Sequence, residues 1–234
     1  MCKGEKSASF TKALGLNAFE LFKQRKFAIF FVFSMLLGAA LQLTNAYGDT
    51  YIHDFANVDI YKDTIAVRYP AIIMSISQVS ETLFILAIPF FLRKFGIKYV
   101  MLFSMLAWVL RFGLFAFGNP SDGLWMIIMS CIVYGMAFDF FNISGSLFVE
   151  TQTDSKIRGS AQGMFMMMVN GFGALIGSFA SGYIIQQYFT LTDGSKDWFG
   201  IWITFASYAL VLALIFPFVF KYKHDPKELE NLEH

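Results

Sequence analysis

Three ionisable side chains, Glu81, Arg111 and Asp139, stand inside stretches of sequence that are otherwise almost wholly apolar. A charge at the centre of a bilayer costs about 2.5–3.5 kcal/mol on insertion scales, so each such residue needs a partner or a task. Glu81 follows Gln78 by three residues in Ser75-Ile76-Ser77-Gln78-Val79-Ser80-Glu81, a spacing that puts amide and carboxylate on one helix face. That face can hold a polar solute or a proton, or it can hydrogen-bond a neighbouring helix and only bind a bundle together. A carboxylate is a costly choice for the second task, where Ser or Gln would serve.

Asp139 lies in Tyr134-Gly135-Met136-Ala137-Phe138-Asp139-Phe140-Phe141-Asn142, where Tyr134, Phe138 and Phe141 form one helical stripe flanked by Asp139 and Asn142. Aromatic stripes usually serve packing or lipid contact. Beside a buried acid and amides this one reads as a ligand platform, and a carboxylate in an apolar wall can take up and release a proton. Gln42 and Asn45, followed by Tyr47, repeat the three-residue spacing. Amides donate and accept, carboxylates accept and aromatics stack. Three such clusters suit a neutral, planar, polyhydroxylated solute better than an ion or a lipid. Arg111 reads as structural, pairing with an acid or carbonyls or snorkelling to the outer interface. Gly163, Gly171, Gly173, Gly177 and Gly182 include a Gly-x-x-x-Gly at 173 and 177, the pattern of close helix packing and of a surface that can slide. Asn170 beside them can line a cavity or pin a neighbouring helix.

These residues need spans to carry them. The 234-residue chain is 56% hydrophobic and 15% charged, against roughly 25% charged for soluble domains. A bilayer core needs about 20 apolar helical residues to cross it, and six stretches qualify: 27–47, 70–92, 99–118, 123–149, 161–188 and 198–220. The expected fold is an all-α integral membrane bundle of six transmembrane helices. Short loops at 93–98, 119–122, 151–158 and 192–197 join them, and an Asp-rich segment at 48–69 has room for a short helix or strand. Of the 18 Lys and Arg residues, fourteen fall on the side of both termini and three (Lys62, Arg68 and Lys196) on the other, with Arg111 inside. That bias puts both termini in the cytoplasm.

Residues 1–26 read as a cytoplasmic linker whose Phe10, Leu14, Ala18 and Phe22 stripe suits an amphipathic interfacial helix. Residues 27–220 are the bundle, and 221–234 a charged cytoplasmic tail. A net charge of +1 argues against a nucleic-acid partner. Cys2 and Cys131 offer no metal spacing, and no cleavable leader is visible. His53, His224 and His234 all fall outside the spans, which argues against an intramembrane hydrolase or metalloenzyme. No Gly-rich phosphate loop is present. Neither a cofactor nor an enzymatic activity is expected.

Two segments resemble the major facilitator superfamily: Pro89-Phe90-Phe91-Leu92-Arg93-Lys94-Phe95-Gly96-Ile97-Lys98 is similar to its second-half signature loop, and 150–158 to the lead-in of its eleventh helix. Leu36-Leu37-Gly38-Ala39-Ala40-Leu41-Gln42-Leu43-Thr44-Asn45, residues 133–146 and Ser160-Ala161-Gln162-Gly163-Met164-Phe165 resemble bacterial nucleoside–proton symporters. The resemblance implies helices seven to twelve of a twelve-helix carrier in the inner membrane, taking nucleosides such as uridine or adenosine together with protons. It implies that the ninth and twelfth helices brace the outside while the others line the cavity. On its terms Gln42, Asn45, Gln78 and Glu81 bind nucleoside by hydrogen bonds, Tyr134 and Phe138 face base or sugar, and Asp139, with Glu81, couples the proton. The superfamily's first six helices have no counterpart here, so the chain reads as the C-terminal half of a carrier. The alternative is a non-transporting or homodimerising half-transporter.

Overall fold

The structure is a computed structural model that describes residues 16–222. A short 3-10 helix, Leu16–Lys23, leads into α1 (Arg25–Asp54), α2 (Pro70–Phe117), α3 (Leu124–Gln152), α4 (Arg158–Met166), α5 (Ala174–Tyr188) and α6 (Trp198–Val219). A π-helical segment, Met167–Gly173, joins α4 to α5 in one continuous span. Among the described residues the fold is all-helical, its only β feature being an isolated bridge between Thr190 and Lys196. Five helical runs among the described residues are long and apolar enough to cross a membrane: Arg25–Asn57, Pro70–Phe117, Leu124–Gln152, Arg158–Tyr188 and Trp198–Val219.

The stretches read as second and third crossings form a helical run of 48 residues that is two helices meeting at Gly96, with no longer loop at 93–98. A straight helix of that length would run about 72 Å. It is not straight. Gly96 sits at φ 76° and ψ 166°, a conformation open only to glycine. The Oγ atoms of Ser80 and Ser104 donate to the carbonyls of Ile132 and Ala137, five residues apart on α3. On a straight helix those two serines would stand about 36 Å apart. The rings of Phe91 and Phe103 also meet at 6.2 Å. The run thus folds back at Gly96 into limbs 70–95 and 97–117, both packed on α3. A single glycine does the turning that the sequence reading gave to a six-residue loop.

α1 continues two turns beyond its expected end near Tyr47, because Gly48-Asp49-Thr50 interrupts hydropathy without interrupting helix geometry. The extra turns bury Tyr51, whose hydroxyl donates to the carbonyls of Phe115 and Gly118 at 2.8 Å each. The remainder of 48–69 holds a 3-10 turn, Phe55–Asn57, and one helical turn, Ile65–Arg68, and no strand. Its exposed Lys62–Asp59 and Arg68–Asp63 pairs are each worth under about 1 kcal/mol. Tyr51→Phe should lower stability by about 1 kcal/mol, the usual net worth of a hydrogen bond, read as a fall in the thermal unfolding midpoint.

Close packing of α1 rests on small residues. A Cβ on Gly38 would strike the backbone of Val169, one on Gly173 the carbonyl of Met35, and one on Gly177 the backbone of Ala39. Of the glycine pattern, Gly173 and Gly177 thus serve close packing against α1. At the opposite end of α1 a Phe cluster fills the interface, with Phe30 4.8 Å from Phe148 and 5.1 Å from Phe165. Of the lead-in stripe, Phe10 and Leu14 lie outside the described residues, as does the tail from 223 on. Ala18 is buried, and Phe22 packs 5.0 Å from Phe31 on α1.

Candidate functional site

Arg111 sits at the meeting point of α1, α2 and α3. It lies on the second limb of α2 and has no exposed surface. Its Nη1 donates to the carbonyl of Ser130 at 2.6 Å, and its Nε approaches the hydroxyl of Thr44 on α1 at 3.5 Å. The Ser130 hydroxyl returns a bond to the Arg111 carbonyl at 3.0 Å. The guanidinium also lies over two rings, 4.4 Å from the centroid of Tyr134 and 5.0 Å from that of Phe115. Among the described residues no carboxylate oxygen forms an ion pair with it. Snorkelling is excluded by its complete burial, and a carbonyl rather than an acid is its direct partner.

Tyr134 is buried. It stacks on Phe138 with centroids 5.8 Å apart and planes 5° from parallel, and it meets Trp108 edge-on at 5.9 Å. The i,i+4 spacing on α3 sets the first pair. Asp139, one residue further along, is 5% exposed. Its Oδ2 is buried without a hydrogen-bond partner, an oxygen that can take up a proton without breaking a bond. Glu81, half-buried on the first limb of α2, lies within electrostatic reach of Arg111, Tyr134 and Asp139. The guanidinium thus meets the aromatic pair across two limbs, with both carboxylates near enough to act electrostatically.

The amides are placed differently. Gln42 is half-buried, while Asn45 and Gln78 are exposed. Oriented to suit its neighbours, the Gln78 amide donates to its own helix, to the carbonyls of Ser75 at 3.1 Å and Met74 at 3.2 Å. Among the described residues neither Gln42 nor Asn45 has a hydrogen bond to another helix, so neither acts as glue. Asn142 caps inward, Nδ2 donating to the carbonyl of Phe138 at 2.9 Å, and it shares a narrow crevice with Leu37, Leu41, Trp108, Phe138 and Val169. Asn170 is exposed on the π-helical segment and contacts only Sδ of Met166, at 3.7 Å, so it does not pin a neighbouring helix. A recess of about 300 Å³ lies elsewhere, between α1, α5 and α6, lined by Met35, Leu36, Ile176 and Tyr208 among others, and contains none of these residues.

Sequence reasoning missed the central position of Arg111 and the part taken by Thr44 and Ser130. The signal was there. Trp108, Arg111 and Phe115 recur at i, i+3 and i+7, which marks one face of that limb as aromatic and cationic rather than lipid-facing.

The sequence profile of the family described as "Nucleoside H+ symporter" matches residues 2–225. The chain is 57% identical to the xanthosine permease of Escherichia coli K12 over 226 residues, covering 96% of this chain and 54% of the relative. It is 53% identical to the nucleoside permease NupG of the same organism over 225 residues, covering 96% and 53%. The crystal structure of a NupG mutant superposes with a TM-score of 0.86 at 54% identity, covering 90% of this chain and 52% of that one. NupG without the mutation gives 0.83, covering 89% and 51%. The chain spans about half the length of these relatives, and the matching half of NupG, a major facilitator transporter, is the C-terminal one. The relatives are permeases, not enzymes. The motif resemblance, the all-helical multi-pass architecture and the profile match agree: this chain is a member of the nucleoside–proton symporter family.

Proposed function

We propose that the chain is one six-helix wall of a carrier that moves nucleosides into the cell with protons, by alternating access about a midplane site. The limbs of α2 count as two crossings, giving six, equivalent to helices seven to twelve of the superfamily. The bundle is residues 27–220, and an even number of crossings with the basic bias places both ends in the cytoplasm beside the inner membrane. Gln42, Asn45, Gln78 and Glu81 hydrogen-bond the nucleoside. Tyr134 and Phe138 present a flat apolar face to base or sugar. Asp139, assisted by Glu81, carries the proton.

One observation carries this reading: the unpartnered, buried Oδ2 of Asp139 stands beside the stacked Tyr134–Phe138 pair. A planar solute and a proton can then be held within one site and compete for, or share, the same charge balance. Alternating access further needs a second wall, taken to be an N-terminal six-helix half.

The test is uptake of labelled uridine by cells that co-express this chain with such a half. Uptake should rise as the outside is acidified, and Asp139→Asn and Glu81→Gln should each blunt that dependence. If both variants kept the wild-type pH dependence, the coupling assignment would be wrong. Without the second half the chain should fold and bind uridine weakly but not transport it. Phe138→Ala removes half of the stacked pair. Base–aromatic stacking is worth about 1–3 kcal/mol, so KM for uridine should rise about 10-fold, with the maximal rate little changed.

A further inference from the structure

We infer that Arg111 is a positioning residue of the nucleoside site, fixing the ring of Tyr134 in the plane in which it stacks on Phe138. The inference rests on the transport reading above and extends it to the limb 97–117, to which that reading assigns no solute contact. Arg111 is tied to α3 twice through Ser130, by Nη1 to its carbonyl and by its own carbonyl to the Ser130 hydroxyl. Ser130 precedes Tyr134 by one helical turn, so the guanidinium is held where it covers the Tyr134 ring, 4.4 Å from the centroid. Trp108, three residues before Arg111 on the same limb, closes the ring edge at 5.9 Å. Thr44 connects the guanidinium to α1, between Gln42 and Asn45.

A purely space-filling role does not explain the choice of residue. A cation at this depth is expensive, and an apolar side chain of similar volume usually packs as well or better in a buried site. What arginine adds is a planar face, directed donors and a fixed charge. The face is used on Tyr134 and Phe115, and the donors on Ser130 and Thr44. The charge acts electrostatically on Glu81, on the other limb of α2.

The experiment uses the chain co-expressed with an N-terminal half, carrying 3-fluorotyrosine at position 134, in wild-type, Arg111→Lys and Arg111→Met forms. Arg111→Met loses a buried cation–π contact, so KM for uridine should rise about 10-fold or more, with the maximal rate within about twofold. Its 19F resonance should broaden and move. Arg111→Lys keeps the charge and loses the fork, so KM should rise about threefold and the resonance should be intermediate. Wild-type KM and an unmoved resonance in both variants would overturn the inference. If Arg111→Met failed to accumulate, Arg111→Lys would decide alone: an unmoved resonance with wild-type KM rejects positioning. A preparation that carries no uridine yet shows the resonance shift would reject the transport reading and keep the positioning role. One with neither rejects both.

Discussion

Asp139→Asn should abolish accumulation of nucleoside against its gradient while leaving exchange of nucleoside across the membrane in place. Asparagine matches the carboxylic acid in shape and can still offer hydrogen bonds to a solute, but it cannot load or release a proton. The substitution therefore separates binding from coupling. In the structure the buried Oδ2 of Asp139 has no protein partner, so the amide breaks no existing bond at that position and the fold should tolerate it. One charge moved through 100 mV is worth about 2.3 kcal/mol, which corresponds to an accumulation ratio of about 50. In proteoliposomes containing both halves, the ratio for wild type should approach that value at 100 mV, and for Asp139→Asn it should fall to about 1. Counterflow of labelled against unlabelled uridine should persist. Loss of both activities together would assign Asp139 to nucleoside binding instead.

The second large effect concerns the seam between α1 and the π-helical segment. Gly38→Val should destabilise the bundle by about 1–3 kcal/mol or more, the usual range for overpacking. The added carbon atoms meet the main chain of Val169, and a main chain cannot rotate aside as a side chain can. Gly173 meets Met35 and Gly38 in the same seam, and Gly177 meets Ala39 one turn on, so the strain cannot be relieved by a small shift along the helix. With no hydrophobic force between helices in lipid, such close contact is a main source of their association. Thermal unfolding monitored by circular dichroism should show the fall. Gly163→Ala, where a Cβ has nothing within 4 Å, should leave the midpoint unchanged or raise it slightly. Equal losses in both variants would mean that the seam is not where the stability lies.

Hydropathy made most of this fold legible. The spans near α3 and α6 agree with the sequence reading to within about three residues, because their apolar runs end at Gly, Pro and charged residues. The hidden features share a cause, which is that each depends on backbone geometry rather than on polarity. Gly96 reverses the chain in one residue, so the two expected crossings are joined by a single glycine rather than by a six-residue loop. α1 runs past its apolar stretch because Tyr51 and Ile52 are buried against neighbours that no local pattern announces. The π-helical segment within the fifth stretch has no composition signature beyond its glycines.

The candidate site was legible for a different reason. Glu81, Asp139, Tyr134 and Phe138 violate the apolar rule or cluster at helical spacing; the structure stacks Tyr134 on Phe138 and leaves Glu81 within electrostatic reach of Asp139. Gln42 and Asn45 find no partner on another helix among the described residues, and the Gln78 amide bonds only to its own helix. Arg111 was assigned to the bundle's support because nothing in its own limb shows that Ser130 and Thr44 wait for it on two other helices.

The most direct test of the central claim is proton movement driven by nucleoside. Proteoliposomes holding this chain with an N-terminal half, lightly buffered and with no imposed gradient, should alkalinise the external medium when uridine is added. The signal should vanish in Asp139→Asn and on addition of a protonophore. Uridine entry by the wild type with no alkalinisation would contradict proton symport and leave a carrier that only equilibrates its solute.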